Sequence, residues 1–347
     1  MKIAHHVISS DTSPFIIAEM SGNHNQSLDK ALEIVEAAAR AGANALKLQT
    51  YTADTMTLDI NEGAFFIKDE RSPWKGKSLY DLYNLAHTPW EWHVPIMERA
   101  QELGLTCFST PFDKSAVDFL ERLGVPAYKI ASFEIVDLPL IRYIAEQGKP
   151  IILSTGMATL AEIDEAVRTI REAGNDQIAL LKCTSAYPAP PEEMNLRTIP
   201  HLAAAFGAPV GLSDHTLGIA TSVAAVALGA CIIEKHFTLS RADPGPDSAF
   251  SLEPHEFKAM VDAVRETEKA LGTVCYEVSE HEMASRVFRR SLFAVRDIEA
   301  GEVFTEENVR SIRPGYGLPP KYLSVVLGRR AAQPIRRGTP MDWDLIL

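Results

Sequence analysis

Eight short runs of apolar and β-branched residues, each breaking off in polar side chains, recur through the first three quarters of the chain. They cover residues 15–19, 45–49, 105–110, 127–132, 151–155, 178–184, 210–213 and 231–236. Stretches with apolar residues at three- and four-residue spacing lie between and after them. These cover 28–41, 89–103, 114–123, 138–147, 160–173, 196–206, 218–228 and 254–271. Ser27, Asp113 and Thr159 stand where helix N-caps belong, and Gly42, Gly104, Gly124, Gly148, Gly174 and Gly207 where helices should stop. Few architectures accept eight consecutive strand–helix units, and the count predicts an α/β fold, a (β/α)8 TIM barrel. The rival, a doubly wound open sheet, would want a glycine-rich phosphate turn after an early strand. No GxGxxG or Walker sequence is present.

The rhythm breaks twice. Residues 50–87 separate the second strand from its helix and carry Tyr51, Phe65, Phe66, Trp74, Tyr80 and Tyr83. A long insertion on the strand-end face reads as a substrate lid. After Leu271 the helical period fades, and from Arg290 short β-like runs alternate with Gly and Pro. The expected division is a catalytic barrel over 1–272, a linker over 273–289 and a small β-rich domain over 290–347.

Composition narrows the function. The chain carries a net charge of −12, and its last segment, from Ser285, is the basic part, with 11 Lys and Arg against 7 Asp and Glu. An acidic body suits neither nucleic acid nor an anionic membrane. The N-terminal stretch MKIAHHVISSDTSPF has no apolar core of a signal peptide, and the apolar region around 219–233 is broken by Thr221, Ser222 and glycine. Cys107, Cys183, Cys231 and Cys275 are far apart, which fits a reducing compartment. The expected location is the cytoplasm.

In a barrel, side chains at the strand C-termini converge on one mouth. Here they include Glu19, Lys47, Gln49, Thr110, Lys129, Ser132, Glu134, Ser154, Thr184, Ser213, His215, Glu234 and His236. Alternation puts Lys47 and Gln49 on one face of their strand, and Glu234 and His236 on one face of theirs. His215 and His236 end adjacent strands and are candidate ligands for a catalytic divalent metal such as Mn²⁺, Mg²⁺ or Co²⁺. Lys47, Lys129 and the hydroxyls of Thr110, Ser132, Ser154, Thr184 and Ser213 form a cationic, donor-rich surface for a small dense anion. Glu19 is a candidate general acid or base, and neighbouring lysines and a metal should lower its pKa, favouring the base. A Schiff-base aldolase using Lys47 or Lys129 is the alternative chemistry.

The stretches IAEMSGNHNQSLDKA, GANALKLQTY, STPFD, YKIASFE, ILSTGMA, LLKCTSAYPAP, GLSDHTLG, EKHFTL and RPGYGL, in that order, together resemble the sialic acid synthase family. That resemblance implies a barrel followed by a SAF (antifreeze-like) domain. It implies condensation of phosphoenolpyruvate with an N-acetylated amino sugar, with loss of phosphate by C–O cleavage. It matches His215 and His236 to metal ligands, and Glu19, Lys47, Lys129 and Glu134 to the reacting centre. Lys47, Thr110, Lys129, Ser132, Ser154, Thr184 and Ser213 fall on phosphoenolpyruvate positions, and Gln49, Glu134, Tyr187 and Asp247 on sugar positions. Arg313 matches an arginine inserted into a partner subunit's barrel, which implies a domain-swapped homodimer. Within the family, MSGNHNQS and the SPWKGKSLYDLY insertion resemble the branch that makes pseudaminic acid from 2,4-diacetamido-2,4,6-trideoxy-L-altrose. The N-acetylneuraminic and legionaminic acid synthases are the alternative. A 6-deoxy sugar calls for a more apolar pocket, which the insertion's aromatics fit.

Overall fold

The computed structural model describes residues 1–70, 72 and 74–347, so Pro73 of the SPWKGKSLYDLY stretch lies outside the described residues. The chain divides into two compact units, Met1–Gly272 and Thr273–Leu347.

The first unit begins with two short antiparallel strands, β1 (Lys2–Ile3) and β2 (His6–Val7). Eight parallel strands follow and close on themselves. They are β3 (Phe15–Glu19), β4 (Ala45–Thr50), β5 (Thr106–Pro111), β6 (Tyr128–Ile130), β7 (Ile151–Ser154), β8 (Ile178–Cys183), β9 (Val210–Asp214) and β10 (Ile232–His236). Closure is made by β10 on β3, with Ile232 opposite Phe15 and His236 opposite Glu19. This ring excludes the open-sheet rival.

Two-residue alternation splits each strand between two environments. Ile16, Ala18, Leu46, Leu48, Leu153, Leu180 and Leu212 face outward into the core shared with the helices. Phe15, Ile17, Ala45, Phe108, Ala127, Ile152, Ala179, Leu181 and Ile232 fill the lower interior, and Ile3 and Ile8 join them from the N-terminal hairpin. Each of the Ile, Leu and Phe side chains among them contributes about 1.5–3 kcal/mol by leaving water. Gly211 belongs to the inner phase, where a Cβ would meet the inner-layer Leu181 Cδ2 at 2.8 Å and crowd the Ile232 carbonyl oxygen at 2.3 Å, so no side chain fits. Above these apolar layers the inner phase turns polar, and that upper layer is the mouth.

Helices follow the strands much as the spacing predicts: α1 (Leu28–Arg40), α4 (His93–Glu102), α5 (Lys114–Leu123), α6 (Leu138–Ala145), α7 (Leu160–Glu172), α8 (Thr198–Phe206), α9 (Ala220–Ala227) and α10 (Pro254–Leu271). Ser27 caps α1 by accepting from the Lys30 N–H, Asp113 caps α5, and Thr159 with Glu162 forms a capping box on α7. The insertion carries α2 (Ala53–Met56) and α3 (Leu79–Ala86). The fourth barrel strand is shorter than its apolar run, because from Ser132 the chain coils into the 3-10 turn Ser132–Val136. That turn is what brings Glu134 back to the mouth. Among the described residues no helix is long and apolar enough to cross a membrane.

The second unit pairs β11 (Ser291–Ala294) with β12 (Val309–Ile312) antiparallel, around Leu292, Ile298, Phe304, Val309, Val326, Ala331, Ile335 and Met341. Gly317 lets the chain pass over β11, since a Cβ there would sit 2.3 Å from the Leu292 carbonyl oxygen. The stretch expected to be a plain linker contains a short helix, α11 (Glu280–Met283), whose capping box is made by Ser279 and Glu282.

Candidate active site

Four buried charges meet where the strands end. Lys47 Nζ on β4 lies 2.6 Å from Glu19 Oε2 on β3 and 3.7 Å from Glu234 Oε1 on β10. Lys129 Nζ on β6 is also 3.7 Å from Glu234 Oε1. Hydroxyls and an amide complete the layer. Lys47 donates to Thr110 Oγ1 at 3.3 Å, Lys129 to Ser154 Oγ at 2.7 Å, Ser213 to Glu234 Oε1 at 3.0 Å, and Gln49 Nε2 to Glu19 Oε1 at 3.1 Å. Seven of the eight strands are thus linked side chain to side chain around one point. Charges this deep persist only when paired, because desolvation costs each ion several kcal/mol.

Burial and sharing split the titrations of these groups. Burial alone would raise Glu234, but Lys129, Lys47 and the Ser213 hydroxyl outweigh it and hold its pKa below the usual carboxylate range. Glu19 goes the other way. Burial raises it, the negative Glu234 adds to that, and the attraction of Lys47 does not cancel the two. The expectation that nearby lysines would lower Glu19 is therefore corrected. It is a group able to hold a proton, because two carboxylates compete for the same cations. Lys47 is raised, with Glu19 and Glu234 overcoming its burial, whereas burial lowers Lys129. Burial also pushes Glu134 up to about 7, and its Oε2 is buried without a hydrogen-bond partner.

His215 and His236 stand beside this cluster with ring centroids 5.5 Å apart. His215 Nδ1 donates to the Thr184 carbonyl at 2.9 Å, which fixes the ring and leaves the lone pair on Nε2 when the ring is neutral. Burial, followed by His215 and the lysines, drives His236 well below its ordinary pKa and keeps it neutral, and its Nδ1 is buried without a partner. Burial works against protonation of His215, but Cys183 and the Thr184 carbonyl outweigh it and raise its pKa. Two imidazoles, one already braced by a carbonyl, fit a divalent ion with open positions. Among the described residues no third His, Cys, Asp or Glu joins them in a metal-binding cluster. Such a centre would therefore leave most of its coordination to water and substrate.

An aromatic wall flanks the histidines. The Tyr187 ring lies 4.4 Å from His215 and 5.1 Å from Phe250, which is itself 5.1 Å from His236. Trp74 of the insertion approaches Tyr187 at 6.0 Å and donates from Nε1 to the Pro246 carbonyl at 2.8 Å. Asp247 follows, buried, and accepts from the Ser21 hydroxyl. Burial raises its pKa against that bond.

Two expected residues stand apart from the cluster. Thr184 follows the outward phase of Lys182: its Oγ1 accepts from Lys182 Nζ at 3.2 Å and donates to the Glu193 carbonyl at 3.2 Å. Cys183 and Ser185 take the inward phase instead, with Ser185 Oγ 2.8 Å from Ser132 Oγ. Arg313 is exposed in the second unit, directly after β12. Glu234 was legible as a mouth residue on one face with His236, but not as the carboxylate that Lys47 and Lys129 share. Ser21, just past the end of the first strand, was legible as part of the mouth, whereas Phe250 carried no local signal.

The NeuB family pattern matches residues 34–276, and the SAF domain pattern matches 289–347. A pseudaminic acid synthase of Campylobacter jejuni is 49% identical over 330 residues, covering 95% of this chain and 96% of that protein. A pseudaminic acid synthase of Helicobacter pylori is 45% identical over 332 residues, covering 95% and 97%. The crystal structure of an N-acetylneuraminic acid synthetase from Leptospira borgpetersenii superposes with a TM-score of 0.73 at 32% identity, over 82% of this chain and 94% of that one. A barrel with two buried lysines, two carboxylates and two histidines at its mouth, followed by a SAF domain, thus belongs to the NeuB family.

Proposed function

We propose that the chain is a pseudaminic acid synthase, joining phosphoenolpyruvate to 2,4-diacetamido-2,4,6-trideoxy-L-altrose with water, and releasing pseudaminic acid and phosphate. The observation that carries this reading is the convergence of Lys47, Lys129 and their hydroxyl neighbours on one buried point beside His215 and His236. The names of the relatives that are 45–49% identical point to the same reaction.

Lys47 and Lys129 hold the phosphate and carboxylate of phosphoenolpyruvate, with Thr110, Ser132, Ser154 and Ser213 as hydroxyl donors and Thr184 at the rim. Preorganised donors in a water-poor site stabilise developing negative charge without reorganising. His215 and His236 would hold a divalent ion, Mn²⁺ in our reading, which supplies Lewis-acid polarisation of the sugar aldehyde. Gln49, Glu134, Tyr187 and Asp247 orient the sugar, and the Tyr187–Phe250–Trp74 wall accommodates its deoxygenated end. Glu19, whose pKa burial raises above the ordinary carboxylate value, exchanges a proton with the reacting oxygens. Arg313 reaches the mouth from the partner subunit of a swapped homodimer, in the cytoplasm.

The test is a sugar panel. Purified protein is incubated with phosphoenolpyruvate, Mn²⁺ and either the trideoxy altrose sugar, its legionaminic acid counterpart or N-acetylmannosamine, and phosphate release is followed. Preference for the trideoxy altrose sugar is expected. Faster turnover of N-acetylmannosamine would overturn the assignment.

A further inference from the structure

A second buried ion pair sits behind the two histidines, on the outer face of the same strands. Lys235 Nζ lies 3.0 Å from Asp214 Oδ2, and both side chains are 0% exposed. The two residues are direct partners in the β9–β10 ladder. Asp214 immediately precedes His215, and Lys235 immediately precedes His236. By alternation, each member of the pair points into the helix layer while its neighbour points into the mouth.

The carboxylate is saturated. Asp214 Oδ1 accepts from the Thr216 backbone N–H at 2.9 Å and from the Thr216 hydroxyl at 2.8 Å, and Oδ2 accepts from Ser222 Oγ at 2.7 Å. Lys235 Nζ also donates to the Thr216 carbonyl at 2.5 Å. One point therefore ties together the end of β9, the turn that follows His215, strand β10 and helix α9.

None of these atoms belongs to the cluster of Lys47, Lys129, Glu19 and Glu234. For packing alone the pair is a poor choice, because an apolar pair of similar volume serves a protein interior as well or better. What directional, saturated contacts add is geometry. A slip of one residue between β9 and β10 would carry one histidine out of the mouth, and a two-histidine site has no spare ligand to absorb the error.

We propose that the Asp214–Lys235 ion pair is a positioning device for the metal site, setting His215 against His236 from the outer face of the barrel. The inference rests on reading those histidines as metal ligands.

The experiment uses the full chain stripped of metal and titrated with Mn²⁺, with affinity read by the electron paramagnetic resonance of free Mn²⁺ and stability by thermal unfolding in chelator. Wild type, His236→Ala, Lys235→Met and the double variant Asp214→Leu/Lys235→Met are compared. Lys235→Met should unfold at a markedly lower temperature, because it strands a buried carboxylate. The double variant should regain most of that stability and still bind Mn²⁺ about 10- to 100-fold more weakly, the range for lost outer contacts to metal ligands. A double variant with wild-type Mn²⁺ affinity overturns the proposal, since a purely structural pair predicts that result. If the double variant does not fold, Ser222→Ala decides. It removes one contact to Asp214, and a several-fold loss of Mn²⁺ affinity with unchanged circular dichroism is expected, whereas unchanged affinity overturns the idea. Wild-type affinity in His236→Ala would instead sink the histidine reading, and the proposal with it.

Discussion

Glu19 and Lys47 are ladder partners on adjacent strands, and their side chains meet 2.6 Å apart at the top of the apolar interior. A pair so placed couples stability to chemistry. Lys47→Met leaves Glu19 and Glu234 buried without their shared cation, and should lower unfolding free energy by about 3–5 kcal/mol. Lys47→Met/Glu19→Gln should recover a large part of that. Urea denaturation of the three proteins checks it, and both variants should lose phosphate release.

Glu134 should impose a pH slope. Its carboxyl is pushed up to about 7 by burial. Below its ordinary range it is neutral whether the chain is folded or not, and its contribution is fully present. As pH rises toward 7 only the unfolded chain ionises, so stability falls by about 2–3 kcal/mol, allowing for its partial exposure. Above 7 the loss levels off. Glu134→Gln should show no such slope in chemical denaturation between pH 5 and pH 8.

His236→Ala should keep the fold and lose metal-dependent turnover. The side chain makes no hydrogen bond through Nδ1, so its removal breaks no network there. Circular dichroism unchanged, with Mn²⁺ uptake by calorimetry weakened at least tenfold, is the expected result.

Arg313→Ala should raise KM for phosphoenolpyruvate by an amount equivalent to about 2–5 kcal/mol if the contact is a desolvated charge pair. Mixing Arg313→Ala with Lys47→Ala after subunit exchange should restore part of the activity. Each hybrid dimer would then contain one mouth with both groups intact.

Trp74→Phe keeps an aromatic ring beside Tyr187 but drops the bond to the Pro246 carbonyl. One such bond is worth about 1 kcal/mol, so KM for the sugar should rise roughly fivefold. KM for phosphoenolpyruvate should not move, because Trp74 faces the Asp247 loop and not the lysines. Initial rates with each substrate varied in turn separate the two.

Local patterns determined much of this protein. Two-residue and 3.6-residue periods are properties of neighbouring residues, so the eight units, their capping residues and the inward phase of Lys47 with Gln49 and of Glu234 with His236 could be read directly from the chain. What depends on distant parts of the chain meeting was decided only by the tertiary structure. Ring closure of β10 on β3 sets Glu234 among the charges of β3 and β4, and burial, with that proximity added, raises Glu19 where local reasoning expected it to fall. The turn after Ile130 cuts the fourth strand short and delivers Glu134. The continued alternation of β8 sends Thr184 with Lys182 and brings Cys183 and Ser185 inward. Periodicity says which face a residue occupies. How deeply that face is desolvated, and which charges share it, follows only once all eight strands enclose one volume.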